Sequence, residues 1–346
     1  MFHTYLTVVV PAIVAFVITV VATKFVINYM REAGITITDH NKSHAIELPG
    51  GGGIAVAFGF TLGLLTYIFG SSFNLYTPIV PLLELFAVLT SILLITMGGF
   101  LDELVLKGKS VLSKDRKDTK KGLKQWQRPL LTLIGALPFV AINAGVSTVD
   151  VPFLGAISFG LLYPLVIIPL AVIFVSNAFN LLGGFDGIAS GSAVVLSAAM
   201  LIYGIVFGDY IAALLAAVLF ASMIAFFFFN LYPAKIIPGD GFTFGVGAVL
   251  LGIMILGNME AFGIIIFLPW FVEFFLHLRR KFKVTDLGKR MPDGTFKAPY
   301  GKSIYSWTHL IMNIKRCTER QVSLYMWGIE IGFVVLAFGL KFLNLL

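Results

Sequence analysis

The sequence has a single cysteine in 346 residues, Cys317, so an intrachain disulfide and a cysteine-rich metal site are both excluded. Charge is scarce too: 12% of residues are charged against 58% hydrophobic, with a mean hydropathy of +0.94. A water-soluble core does not need that much apolar content, and the bilayer is the solvent that accommodates it. Short alternating strands, the mark of a membrane barrel, are missing, while apolar stretches long enough to cross about 30 Å of hydrocarbon as helices recur throughout. The first stretch, near residues 6 to 29, lacks a basic leader and a small-residue cleavage site and is read as a retained span. No internal similarity suggests an inverted repeat, which a secondary transporter for an anion or sugar phosphate would be expected to carry around a midplane site.

What is present reads as an all-α, polytopic transmembrane bundle, a single integral membrane domain over residues 1–346. Hydropathy places about ten spans, near 6–29, 52–70, 79–100, 129–148, 154–178, 187–207, 210–230, 241–257, 260–278 and 321–343. On this map every lysine and arginine except Lys341 falls in or beside the connections after spans one, three, five, seven and nine. Basic residues are retained on the cytoplasmic side, so those connections are expected there and both termini outside. The net charge of +7 then reflects topology and an anionic ligand rather than nucleic acid.

Several of these connections carry acidic or amide residues at span ends, where a charge is costly unless used. Asp102 and Glu103 close the third span, and adjacent carboxylates there can bind a metal, orient a cation or accept a proton, or simply be a solvated helix end. The fifth span ends in Asn177-Ala178-Phe179-Asn180, followed by Gly183-Gly184-Phe185-Asp186-Gly187. Asn177 and Asn180 share a helix face, the glycines let backbone approach a ligand, and Asp186 is either a helix cap or a ligand contact. In the seventh connection, Pro233 and Pro238 keep the backbone irregular and Gly239 and Gly241 flank Asp240, which can face a bulky anion. A hard cation such as Mg²⁺ fits oxygen ligands from Asp240 and Asn180, completed by phosphate and water.

Basic residues crowd two connections. Lys107, Lys109, Lys114, Arg116, Lys117, Lys120, Lys121 and Lys124 precede Arg128, which heads the fourth span and can enter a pocket. After the ninth span, Arg279-Arg280-Lys281 opens a polar segment over 279–320 with a turn signal at Pro292-Asp293-Gly294, expected to be a cytoplasmic lid or sugar-recognition loop. Glu84, Glu273 and Glu330 fall within spans and receive no role from the sequence.

Taken together, these strings resemble the polyprenyl-phosphate N-acetylhexosamine-1-phosphate transferase superfamily. Asp39-His40-Asn41-Lys42 with Pro49 and Gly50 to Gly53 is similar to its D-x-N-K and P-x-x-G-G elements, and Gly99-Phe100-Leu101-Asp102-Glu103 to its G-F-x-D-D. Asn177 to Leu181 with Gly184 to Gly187, and Tyr232-Pro233 with Gly239-Asp240, complete the pattern in order. Glu103 stands where the family has a second aspartate. Leu182-Gly183 replaces the bacterial Thr-Asp, as in the eukaryotic and archaeal branch, which acts on dolichyl phosphate, and the histidine-rich string of the muramoyl-pentapeptide branch is absent.

The resemblance implies an integral enzyme of a prokaryotic, archaeal-type plasma membrane that passes N-acetylglucosamine-1-phosphate from its UDP-sugar to a polyprenyl phosphate, releasing UMP. Mg²⁺, or alternatively Mn²⁺, would sit on Asn180 and Asp240. Asp102 and Glu103 join Asp240 as catalytic candidates, and Lys42, Arg128, Gly184, Asp186, Arg279, Arg280 and Lys281 are the substrate-binding candidates. Another UDP-N-acetylhexosamine and a homodimer both stay compatible with the sequence.

Overall fold

The structure, a computed structural model, describes residues 2–44, 46–76, 79–105, 123, 126–151 and 155–346. The lysines and arginine from Lys107 to Lys121, and Lys124, lie outside the described residues. Long apolar runs become helices because only internal hydrogen bonding satisfies backbone polar groups in hydrocarbon. In chain order they are α1 (Phe2–Glu32), α2 (Gly52–Ser72), α3 (Leu82–Val105), α4 (Gln127–Leu133), α5 (Leu137–Ala141), α6 (Ile168–Phe179, entered through a π turn at Tyr163–Ile167), α7 (Ile188–Phe207), α8 (Tyr210–Asn230), α9 (Gly239–Leu256), α10 (Glu260–Ile266), α11 (Leu268–Leu278), α12 (Trp307–Ile314) and α13 (Glu319–Phe342). Seven of the described helices (α1, α2, α3, α7, α8, α9 and α13) are long and apolar enough to cross a membrane. The pair α10–α11, bent by 55°, makes an eighth if counted as one span. The chain is therefore a polytopic helical membrane protein.

The remaining two apolar stretches are shorter than the sequence suggests, Gln127–Ala141 and Tyr163–Phe179. Between them, residues expected to end one span and begin the next form an antiparallel hairpin, β3 (Thr148–Val151) with β4 (Gly155–Ser158). Asn143 and Gly145, both at positive φ, turn the chain out of the helix, and Thr148-Val149-Asp150-Val151 is β-branched and alternating. Two further small sheets correct the all-α expectation: β1 (Thr36–Asp39) pairs with β2 (Ile46–Pro49), and β5 (Lys289–Arg290), β6 (Thr295–Lys297) and β7 (Cys317–Thr318) form a three-stranded sheet.

Helix α9 is the axis of the bundle: every residue from Asp240 to Leu256 is buried, among α2, α3, α6 and α8. Its small residues permit that crowding, as is usual where helices pack without a hydrophobic driving force. At Gly99 of α3 a Cβ would come within 2.6 Å of the Gly241 Cα, so the two backbones touch where the polar residues begin. Helix α1, by contrast, presents Val9, Ile13, Val17, Val21 and Phe25 outward as a lipid-facing stripe.

Candidate active site

The C-terminal ends of α3, α6 and α8 meet the N-terminal ends of α2, α4, α7, α9 and α13 at one end of the bundle, as hydrogen bonds between them record. Glu103 is the bolt. Its two carboxylate oxygens accept the backbone N–H of Gly51, 3.0 Å away before α2, and of Gly241, 2.8 Å away in α9. Gly239, at φ +79°, lies against the same carboxylate, and a Cβ there would fall 2.2 Å from it. The Glu103 carboxylate therefore holds three helix ends in register. A Glu103→Gln variant places an amide NH₂ against one of two buried N–H donors, and an unsatisfied buried donor costs about 1–3 kcal/mol. Its thermal midpoint in detergent is expected to fall; an unchanged midpoint removes the bolt.

What Glu103 positions is Asp240, 4% exposed in the first turn of α9. Arg128 Nη2 lies 3.1 Å from one Asp240 oxygen, and Asn180 Nδ2 donates to the other at 3.2 Å. The same Arg128 nitrogen is 3.6 Å from Asp102, whose other oxygen accepts the Leu123 N–H at 2.6 Å. Arg128 thus bridges Asp102 and Asp240. Beside them opens a cavity of about 250 Å³, lined by Asn180, Gly184, Asp186, Asn230, Asp240 and Asp286 among others. Asn177 instead turns to Thr132 at 2.8 Å and fastens α6 to α4.

Lys42 does not itself line that cavity; it sits in a cage with Asp39 and Asp186, which do. Its ammonium lies 2.6 Å from Asp186, 2.7 Å from Glu319 and 3.2 Å from Asp39, with the Tyr232 ring 4.7 Å away. Burial alone would lower its pKa, but the hydrogen bonds it donates to Asp186 and Glu319 outweigh that and raise it above the ordinary lysine value. Among the described residues, Asp39, Asp186 and Glu319 are the three acidic side chains close enough to share a metal ion, and Lys42 already serves as their cation. Asp186 does not cap α7; Gly187 takes that position, and the carboxylate receives Lys42 and the Ala234 N–H at 2.9 Å. Asn41 Nδ2 donates to the Gly184 carbonyl.

The predicted lid has its own structure. Pro292-Asp293-Gly294 makes the β5–β6 turn, with Asp293 accepting the Thr295 N–H at 2.9 Å. Arg279 and Arg280 stack on the rings of Tyr305 and Tyr300, and neither they nor Lys281 line the cavity. Glu273 accepts the Trp307 N–H at 2.9 Å and so anchors α12 to α11. His309, fully buried, accepts the Tyr305 N–H at Nδ1 (3.2 Å), which leaves Nε2 to donate to the Thr285 carbonyl at 2.9 Å. Burial lowers its pKa below the ordinary 6.5. Unfolded, this histidine binds a proton more readily than packed, so the packing of this segment is unaffected above that value and weakens as pH falls below it. Hydrogen exchange over 285–309, corrected for intrinsic rate, is expected to quicken between pH 7 and 5; constant protection contradicts this.

Two residues at this site escape sequence reasoning. Glu319 follows Thr318, which with Gln321 forms a capping box opening α13, so Thr318-x-x-Gln321 before an apolar run signals a helix start beside the membrane edge. Asp286 is an acid within a strongly basic segment, and it touches Gly183 and Gly184.

Fold and site together define a polytopic membrane protein with a polar, carboxylate-lined cavity at one end of its helices. The chain belongs to glycosyl transferase family 4, which matches residues 85–258, and it is a transferase of that family. It is 33% identical over 334 residues, 96% of each chain, to a Saccharolobus solfataricus protein provisionally named UDP-N-acetylglucosamine–dolichyl-phosphate N-acetylglucosaminephosphotransferase. A Sulfolobus acidocaldarius protein of the same provisional name is 31% identical over 94% of this chain and 93% of its own. A phospho-N-acetylmuramoyl-pentapeptide-transferase of Streptococcus equi subsp. zooepidemicus is 30% identical over 60% of this chain and 57% of its own.

Proposed function

We propose that this protein transfers N-acetylglucosamine-1-phosphate from UDP-N-acetylglucosamine to a dolichyl-type polyprenyl phosphate, releasing UMP, the first membrane step of a lipid-linked glycan. The observation that carries this reading is the Asn180–Asp240–Arg128 constellation beside the cavity, in a chain similar over nearly its whole length to relatives provisionally named for that reaction. A lipid phosphate oxygen attacks the β-phosphorus, and the bond from that phosphorus to the bridging oxygen breaks, leaving UMP. A phosphate monoester has a second pKa of about 6, so the attacking oxygen is already ionised at neutral pH and needs no strong base. Direct attack is therefore favoured over an aspartyl intermediate.

Two polyanions must meet, so cations decide the rate. Asp240 and Asn180 suit a hard divalent ion: turning the Asn180 amide over brings its oxygen beside the carboxylate, giving two hard oxygen ligands. Mg²⁺ or Mn²⁺ held there would screen the diphosphate and polarise it. Arg128, released from Asp240 as charge enters the site, is placed to meet a phosphate, and Asp102 keeps it oriented. The site is assigned to the cytoplasmic side and the termini to the outside by the lysine and arginine distribution. With the two shorter helical stretches counted as crossings, the spans number ten.

Purified protein incubated with dolichyl phosphate, Mg²⁺ and a panel of UDP-sugars tests this. UMP and a diphospho-N-acetylglucosamine lipid are expected, and a chelator should abolish them. Product with another UDP-N-acetylhexosamine alone changes the sugar; no product from any donor removes the transferase reading.

A further inference from the structure

The lid reaches the cavity through Asp286 and Leu287. Asp286 Oδ2 accepts the backbone N–H of Gly184 at 2.7 Å and of Gly183 at 3.2 Å, a pair of successive amides that forms an anion seat. Only glycine permits this approach at residue 184, where a Cβ would lie 2.6 Å from the carboxylate. The backbone of Asp286 is fixed from behind, because its carbonyl accepts the Thr308 hydroxyl at 2.7 Å. The neighbouring Thr285 donates its N–H to the Tyr300 hydroxyl at 3.2 Å. Helix α12 is in turn tied to α11 by Trp307, whose indole donates to the Pro269 carbonyl at 2.8 Å and whose backbone N–H meets Glu273. A continuous set of bonds therefore runs from the bent α10–α11 unit, through α12, to Asp286 and the glycine turn. That turn lies between Asn180, which contacts Asp240, and Asp186, which contacts Lys42.

We propose that Asp286 is a positioning residue for the transfer, a latch that fixes the lid sheet β5–β6–β7 over the Asn180–Asp240 floor. This rests on the transferase reading. On this proposal the latch serves the nucleotide-sugar, whose binding depends on it, and the lipid phosphate provides the internal comparison. Charge-assisted hydrogen bonds are about twice as strong as neutral ones, so an asparagine at 286 retains the latch in weakened form and an alanine loses it.

The test uses full-length protein in detergent, as wild type, Asp286→Ala and Asp286→Asn. Asp286→Ala is expected to raise KM for the UDP-sugar about tenfold and to leave KM for the lipid phosphate within about twofold, with Asp286→Asn recovering most of the difference. Without substrate, hydrogen exchange at 181–185 and 285–297 should quicken in Asp286→Ala and recover in Asp286→Asn. A lower KM for the UDP-sugar in Asp286→Ala overturns the proposal, because the carboxylate would then be competing with the substrate for the amides. Unchanged exchange overturns it as well. If wild type has no transferase activity, the exchange measurement still decides the latch by itself.

Discussion

Asp240→Asn is expected to lower turnover at least about a hundredfold, the range seen when one charge-stabilising group is lost from a preorganised site. Asparagine keeps the shape and one acceptor oxygen, so Asn180 and the α9 helix end stay in place. What disappears is the negative charge that faces both Arg128, at 3.1 Å, and any cation entering beside Asn180. Without it Arg128 retains Asp102 as its carboxylate and is drawn toward that side. The loss should therefore appear in kcat at saturating substrates and be only partly recovered by raising Mg²⁺. UMP release measures it, with the thermal midpoint confirming that the variant is folded. Near-normal turnover in a folded variant excludes Asp240 from the chemistry.

The bundle was legible in the sequence wherever a span is a simple apolar run, because length and hydropathy alone decide whether a helix can cross a bilayer. It failed at 148–158, where an apolar, β-branched stretch reads equally well as buried helix or strand and the hairpin wins through the positive-φ turn before it. The Asn180–Asp240 pair was legible because each residue carries its own local signal, a span end next to glycines. Residues whose meaning lies in long-range partners were not. Glu103 reads as half of an acidic pair, yet its oxygens face Gly51 and Gly241, the second of them 138 positions away. Arg279 and Arg280 are substrate-binding candidates by resemblance, while the structure stacks them on Tyr305 and Tyr300 of the same segment. Asp286 and Glu319 stand alone in sequence, and only folding brings them to the glycine turn and to Lys42.

Lys42→Met is expected to cost about 3–5 kcal/mol of stability, the range for removing one partner from a buried ionic cluster. Methionine fills the space of the lysine stem and supplies none of its charge. It leaves the Asp39, Asp186 and Glu319 carboxylates within 4.8 Å of one another without the ammonium that now lies at 2.6–3.2 Å from each. Arginine should not restore the site, since a planar guanidinium cannot replace a compact ammonium that donates in three directions. The defect carries a pH signature. Burial already holds the Asp186 carboxyl above its ordinary range and pushes that of Glu319 up to about 7, so wild type gains some stability as pH falls. Without the ammonium the crowded carboxylates hold protons more tightly still, so the variant should recover stability more steeply than wild type over the same range. If Lys42 instead serves only to steer the lipid phosphate, Lys42→Met keeps its thermal midpoint at every pH and raises KM for the lipid. The two roles therefore separate in detergent before any turnover is measured. The first also predicts that Glu319→Gln, which removes one charge from the crowd, partly restores the midpoint of Lys42→Met.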